Sequence, residues 1–290
     1  MRTTSRFYVA ILLLVLLFGC TTIKPASIPD EMLAPPPVFS HDDFGRMLQR
    51  FVDDQGLVDY ARLKNDPEDI DRYYLLLSTY SPDSHPSLFP TEQSKLAYWI
   101  NAYNAAVIKT VLNYYPISSV EDVKPPGVLF FFPDKSGFFL FQRLTFGGET
   151  TSLYYLENGV IRKRFQDPRI HFALNCAARG CPRLPRRPFT AQHLNDELVR
   201  ETRKFLSEER NLRVDHQEKT IYLSSIFDWY ESDFLDWYRE RYPKLEATLP
   251  NYVALYLSEE ESTELRRSAG SYEVRFIPYD WRLNDKNGAT

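Results

Sequence analysis

One stretch limits what this chain can fold into more than any other: "TEQSKLAYWINAYNAAVIKTVLNYYP", residues 91 to 116. Thr91 is an N-cap residue type, Glu92 complements the positive end of a helix dipole, and Pro116 stops what precedes it. Between them Leu96, Trp99, Ile100, Tyr103, Val107 and Val111 recur at spacings of three and four, the period of one helical face. Ala97, Ala102, Ala105 and Ala106 lie off that face, so the helix has no broad polar side. A helix that is apolar nearly all round belongs in the interior, and the other elements must pack around it.

The remaining elements are shorter. Ser40 with Asp42 and Asp43 starts a helix carrying Phe44, Met47, Leu48, Phe51 and Val52 on one face, and a second helix is predicted over 67–79. "VLFFF" and "GFFLFQRLTF" around "PDKSG" read as a hairpin, and "NLRV" and "TIYLS" around "DHQEK" as another. "TSLYYLENGVIRKRF" is amphipathic despite Gly159. "RIHFALN" reads as a continuous apolar strand ending in the turn "AARGCP". Thr190 opens a helix running to about Ser207, aromatic-rich helices are predicted at about 226–240 and 244–257, and "YEVRFIP" is a closing strand. Helices and hairpins without regular alternation define an α+β class with a central buried helix on a mainly antiparallel sheet.

The N-terminus adds a location. Arg2 and Arg6 precede an apolar run from Phe7 to Phe18, too short to span a bilayer as a mature helix and suited to a secretory signal. The run ends in Leu17-Phe18-Gly19-Cys20, which resembles the lipobox of bacterial lipoproteins. That resemblance implies a signal peptide over 1–19 and lipidation, as with palmitate, at Cys20. It also implies a cell-envelope protein held to the membrane by that lipid, with Thr21 favouring the periplasmic face of the outer membrane. Residues 20–40, rich in proline and small side chains, read as a tether, residues 41–284 as one globular domain, and 285–290 as a disordered tail. Loss of residues 1–19 removes two arginines and no acids, moving the formal charge from -4 to -6. An acidic chain is poorly suited to a nucleic-acid partner.

Chemistry concentrates in "HFALNCAARGCPRL", residues 171–184, which holds one histidine and two thiols. In an oxidising compartment Cys176 and Cys181, separated by a turn containing Gly180, can form a disulfide. Alternatively Cys176 or Cys181 is a nucleophile with His171 in support, since Arg169, Arg179 and Arg183 make an electropositive setting for a thiolate. On a straight strand, however, His171 and Cys176 have odd separation and point to opposite faces. A zinc site would draw on His171, Cys176, Cys181 and His193, at a spacing that matches no common zinc pattern, so neither metal nor cofactor is expected. Asn101 and Asn104 sit one turn apart on the central helix, where bare amides are costly, and are either a satisfied network or part of a binding site. Glu157 is a further candidate. From Arg162 to Arg187 there are eight basic residues and one acid, which suits an anionic ligand.

Four segments in order, "LAYWINAYNAAVI", "RIHFALNCAARGCPRL", "LSSIFDWYESDF" and "YDWRLN", resemble the bacterial and plant family catalogued as domain of unknown function 547. The similarity runs from about residue 92 to 234, with "YDWRLN" as an outlying match. The chain departs from the family's pattern at Asn158, where histidine is common, and at "AARG", where a serine-containing turn is usual. The layout is also similar to papain-like and transglutaminase-like folds, although the central helix carries no cysteine. Two functional classes follow. One is a lipid-anchored envelope protein binding an anionic small molecule or a protein partner, with Glu157, Asn101, Asn104, Arg169 and Arg179 as candidate binding residues. The other is a thiol-dependent hydrolase or transferase using Cys176 or Cys181 with His171.

Overall fold

A computed structural model describes residues 20–25, 38–127 and 131–288. The expected signal peptide (1–19), most of the expected tether (26–37), the core of "VLFFF" (128–130) and residues 289–290 lie outside the described residues. The class is α+β, as the sequence implies. Among the described residues no helix is long and apolar enough to cross a membrane.

Four helices build the first half: α1 (Asp42–Phe51), α2 (Tyr60–Asn65), α3 (Glu68–Thr79) and α4 (Glu92–Tyr114). Thr91 caps α4 in a reciprocal box with Ser94, and the helix is buried along nearly its whole length. Its main neighbours are helices rather than a sheet, with α3, α2 and the segment 153–165 packed around it. This differs from the expected helix-on-sheet layering, because α4 has no polar flank and every side needs cover.

The first hairpin falls later than expected. Ser136–Phe139 is a short helix, α5, and the paired strands are β2 (Gln142–Phe146) and β3 (Glu149–Thr151). Gly147 and Gly148 both have positive φ, 58° and 87°, and supply the tight turn. A Cβ on Gly147 would clash with the hydroxyls of Ser81 and Ser84, so the turn also needs glycine for its close approach to the loop after α3. β1 (Thr21–Thr22) adds to β2 in parallel, Ile23 is buried, and the Tyr74 hydroxyl donates to its carbonyl. The first residues of the expected tether are therefore docked on the body.

The next helix, α6, is wound in three pieces: Leu153–Tyr155, a π-turn over Leu156–Ile161, and Arg162–Phe165. Beyond it lie α7 (Leu194–Leu206), β4 (Leu212–Asp215), β5 (Thr220–Ser224), α8 (Ser225–Trp229), α9 (Glu231–Arg241), α10 (Leu249–Val253), α11 (Glu259–Ala269) and β6 (Glu273–Ile277). The predicted β4–β5 hairpin is present, and β6 adds to β5 in parallel. Each three-stranded sheet is thus half parallel rather than mainly antiparallel. The helix expected at 226–240 breaks at Tyr230, and that expected at 244–257 shortens to α10. Helix α11, with a Ser258–Glu261 capping box, was not among the sequence expectations.

"RIHFALN" is not a strand. Pro168 opens a 3₁₀ turn over Pro168–Phe172, and the Asp167 carboxylate caps it by accepting from the Arg169 N–H. The segment runs along the seam between two apolar clusters. Ile170 and Ala173 join the cluster around α4, while Phe172 joins the cluster under α8 to α11. His171, between them, is buried and packs its ring against Tyr230 and Phe234 on the side of the second cluster. The chain end is anchored as well: Asp285 accepts from the Tyr115 hydroxyl at 2.8 Å, and Lys286 N–H donates to the Val58 carbonyl. Residues 285–288, expected as a disordered tail, are therefore held by specific bonds.

Candidate functional site

Three side-chain amides hold the backbone of the stretch 173–189, which lacks a strand ladder. Asn104 donates to the Ala173 carbonyl at 2.9 Å and accepts from the Asn175 N–H at 2.8 Å. Asn101 does the same for the carbonyl and N–H of Phe189, at 2.8 and 2.9 Å. Asn175 accepts from the Ala177 N–H and donates to the Pro182 carbonyl. Asn101 and Asn104 are thus each bonded through both amide atoms to backbone groups of the protein. Buried amides in such a setting must be paired.

The other edge of the segment is zipped to "YDWRLN". Arg179 N–H donates to the Arg282 carbonyl, Gly180 N–H to the Asp280 carbonyl, and Asn284 N–H to the Ala177 carbonyl. A Cβ on Gly180 would lie 2.9 Å from the Asp280 nitrogen, so the approach requires a glycine. This pairing accounts for the outlying motif: residues a hundred positions away are the backbone partner of the cysteine loop.

Within the loop Cys176 and Cys181 are joined as a disulfide, with Cα atoms 6.2 Å apart. Cys176 is partly exposed and Cys181 is buried. Ala177 has φ of 65°, rare for a residue with a side chain, and the turn it makes aims two N–H groups at one sulfur. Cys181 Sγ accepts from Cys176 N–H at 2.9 Å and Ala178 N–H at 3.4 Å. The Tyr279 hydroxyl lies 3.1 Å from both sulfurs and donates to Cys181. Burial, and then the Glu157 charge, push the Tyr279 phenol well above its ordinary value, so it stays a donor.

The disulfide, Pro182 and Tyr279 form a wall between two cavities. On the Cys176 side is an aromatic cleft of roughly 500 Å³ containing Glu157 and His171. The Glu157 carboxylate accepts from the hydroxyls of Tyr103 (3.0 Å) and Tyr230 (2.5 Å). It projects from the π-turn of α6, where Gly159 leaves room for the Tyr155 ring. Burial, then the Glu157 charge, raise both phenols far above their usual range. His171 stacks on Tyr230 with ring centres 3.9 Å apart, and its Nε2 lies 2.8 Å from Asp233 Oδ2. Arg162 holds the same carboxylate with two N–H groups, at 2.8 and 2.9 Å. Burial pushes the Asp233 carboxyl up, but hydrogen bonds and charge from His171 and Arg162 outweigh it and hold the group well below the usual carboxylate range. At the mouth, Tyr279, Trp229 and Trp281 lie with ring centres 4.6 to 5.7 Å apart, and Trp229 is 43% exposed. The Lys135 ammonium sits over Trp281 at 4.6 Å.

On the Cys181 side is a second cavity, of roughly 610 Å³, lined by five basic and three acidic residues. Arg282 pairs with Asp280 at 2.7 Å and Arg210 with Glu208 at 2.6 Å. Arg179 has no carboxylate within ion-pair distance among the described residues, and its buried Nε has no partner. A bond at 3.5 Å from its terminal nitrogen to the Gly288 carbonyl is its side chain's one hydrogen bond among the described residues.

The structure therefore brings Glu157, His171 and Cys176 to one cleft and Arg179 and Cys181 to the other, with Asn101 and Asn104 beneath. The opposite-face argument against His171 meeting Cys176 rested on a strand; a 3₁₀ turn carries no such parity, and both line the same cleft. Arg169 belongs to neither, since Asp167 and Asn195 occupy its guanidinium. Of the eight basic residues from 162 to 187, five are paired: with Asp233, Asp83, Asp167, Glu201 and Asp54. Four of those acids come from other segments, which a local charge count cannot see. No group of three or more His, Cys, Asp or Glu side chains among the described residues could hold a metal, and His193 has no bond to the cysteines. Tyr103, Tyr230, Asp233 and Tyr279 are site residues that the sequence alone does not single out. Tyr103 and Tyr230 fall on helical stripes that read as plain core, Tyr230 with Phe227, Phe234 and Trp237, and Tyr279 lies in the outlying motif "YDWRLN".

Fold and site define an α+β protein organised about a half-exposed disulfide between an aromatic and a basic cavity. A sequence-family profile described as "Protein of unknown function, DUF547" matches residues 88–206, and the chain carries that domain there. The matched region supplies Tyr103, Glu157, Arg162, His171 and both cysteines; Tyr230, Asp233 and Tyr279 come from beyond it. No curated protein and no solved structure matches the chain.

Proposed function

We propose that this is a lipid-anchored cell-envelope protein that binds a small anionic molecule in the basic cavity, with Arg179 as the anchoring cation. The observation that carries the reading is the state of Arg179, a guanidinium without an ion pair and with a buried, unpartnered Nε. A buried N–H left unbonded is costly, and an anion that bonds it recovers that cost. The neighbouring arginines keep their own acids, so the cavity is selective for one compact anion rather than a polyanion. The envelope assignment rests on the apolar run before Cys20 and agrees with a disulfide, which persists in oxidising compartments.

Isothermal titration of the full chain with citrate and with inorganic phosphate tests the reading. Saturable binding is expected for at least one, weakened tenfold or more by Arg179→Ala and partly kept by Arg179→Lys. Equal binding by the native chain and Arg179→Ala, or none to either, refutes it. Labelling with a radioactive fatty acid, lost in Cys20→Ser, tests the anchor. The thiol-dependent hydrolase or transferase needs a free Cys176 or Cys181, and both sulfurs are engaged.

A further inference from the structure

We infer that Cys176–Cys181 is an exchangeable disulfide that oxidises a thiol-bearing peptide seated in the aromatic cleft. Three features converge on this. Cys176, the partly exposed cysteine, lines the aromatic cleft, whereas its buried partner lies on the side of the basic cavity. The buried sulfur lies where two N–H groups and one phenol converge. A neutral disulfide sulfur gains little from three donors, but a thiolate gains a great deal, so this arrangement favours the reduced state of Cys181. The cleft mouth presents the exposed ring of Trp229 stacked on the partly buried Trp281, an apolar platform suited to peptide side chains.

The exchange balances as follows. A substrate thiolate attacks Cys176 Sγ, the Cys176–Cys181 bond breaks, and its electron pair leaves on Cys181 Sγ, where Cys176 N–H, Ala178 N–H and the Tyr279 hydroxyl hold the charge. A second substrate thiolate then attacks the substrate sulfur of the mixed disulfide and releases Cys176 as thiolate. Of the two protons the substrate thiols give up, one returns to Cys176 and the other stays in solvent, while the donors hold Cys181 as the thiolate. Overall one protein disulfide and two thiols become one protein dithiol and one substrate disulfide, with two electrons transferred. The donors' preference for a charged leaving group drives the first step, since a thiol of lower pKa leaves faster.

This inference uses no bond from the Arg179 side chain, so failure of anion binding leaves it intact. The full chain, purified without reductant, is equilibrated with glutathione buffers of graded ratio, quenched with a maleimide and weighed by mass spectrometry. Reduction of the folded protein is expected at ratios that leave ordinary structural disulfides oxidised. Tyr279→Phe, which keeps the ring, should lower the extent of reduction about tenfold, the scale of one charge-assisted hydrogen bond. A disulfide that resists every buffer until the chain unfolds, or a Tyr279→Phe curve that overlays the native one, overturns the inference. Cys176→Ser gives a second readout on the lone Cys181, followed by thiolate absorbance. A titration at least one unit below the ordinary value of about 8.5 supports the donor nest, and one at or above it refutes the nest. This variant is expected to fold, because so short a loop contributes no more than about 2 kcal/mol. Single-turnover rates with a reduced dicysteine peptide and with free glutathione separate the two sources of thiol. A peptide at least tenfold faster bears out the peptide substrate, and equal rates overturn it in favour of a small thiol.

Discussion

Asn104 offers the sharpest test of how the site is held. Its amide is 2% exposed and bonds the Ala173 carbonyl and the Asn175 N–H, whose residues are 2% and 5% exposed. Removing the amide leaves two buried backbone groups unpaired, at about 1–3 kcal/mol each, or about 2–6 kcal/mol together. That is a large part of the stability of an ordinary domain, about 5–15 kcal/mol. The two substitutions Asn104→Ala and Asn104→Leu should differ. Alanine opens a polar hole that a water molecule can enter to rebond both groups, which brings the cost to the low end. Leucine fills the hole and excludes water, giving the high end. Asn65 is exposed and bonds the Ala61 carbonyl, so Asn65→Ala serves as a control costing under about 0.5 kcal/mol. Urea unfolding without reductant, followed by tryptophan fluorescence and circular dichroism, measures all three. A cost below about 0.5 kcal/mol for Asn104→Leu, or one no larger than for Asn104→Ala, would refute the claim that this amide takes the place of a strand partner.

Other perturbations give outcomes of known sign. Asp233 has a native carboxyl held below its unfolded value, so its contribution to stability is present above about pH 4 and lost as pH falls towards the native value. The stability gap between the native chain and Asp233→Asn should narrow on acidification below that point, and a gap that widens contradicts the assignment. His41 is pushed down to about 4, first by burial and against the opposing charge of Asp42, while its Nδ1 lies 2.7 Å from the Tyr73 hydroxyl. The unfolded chain takes up that proton near pH 6.5 and the native one does not. Stability should therefore decline between about pH 6.5 and 4, and His41→Gln should flatten part of that slope in urea titrations. Ala177, fully buried at φ of 65°, has no room for a branched side chain. Ala177→Val should cost about 2 kcal/mol or more, and a thermal midpoint equal to the native one would show that the turn is not under this constraint.

The helix Glu92–Tyr114 was legible because its signals are local: a cap at Thr91, a stop at Pro116 and a 3.6-residue period between them. The β4–β5 hairpin and the closing strand were legible for the same reason. "RIHFALN" misled because its apolar run resembles a strand while its backbone partners are not strand residues. The partner is the single amide of Asn104 on α4, 69 and 71 positions from the two backbone groups it bonds. The site is hidden in the same manner. Glu157 meets Tyr230 across 73 positions, and Cys181 meets Tyr279 across 98. No periodicity encodes contacts of that range.

The pairing of "YDWRLN" with the cysteine loop unites these points. The same segment that provides the loop's missing backbone partner also carries Tyr279 to the sulfurs and Trp281 to the cleft mouth. Folding of the chain end and assembly of the site are therefore a single event. Separating the matched region 88–206 from the chain would leave Arg179, Gly180 and Ala177 without their partners and Cys181 without its phenol. A fragment limited to that region should show the disulfide reduced no more readily than an unstructured one, whereas the full chain holds the donors in place. If the isolated region kept the full chain's thiol behaviour, the donors would have to lie within it, and the role assigned to Tyr279 would fail.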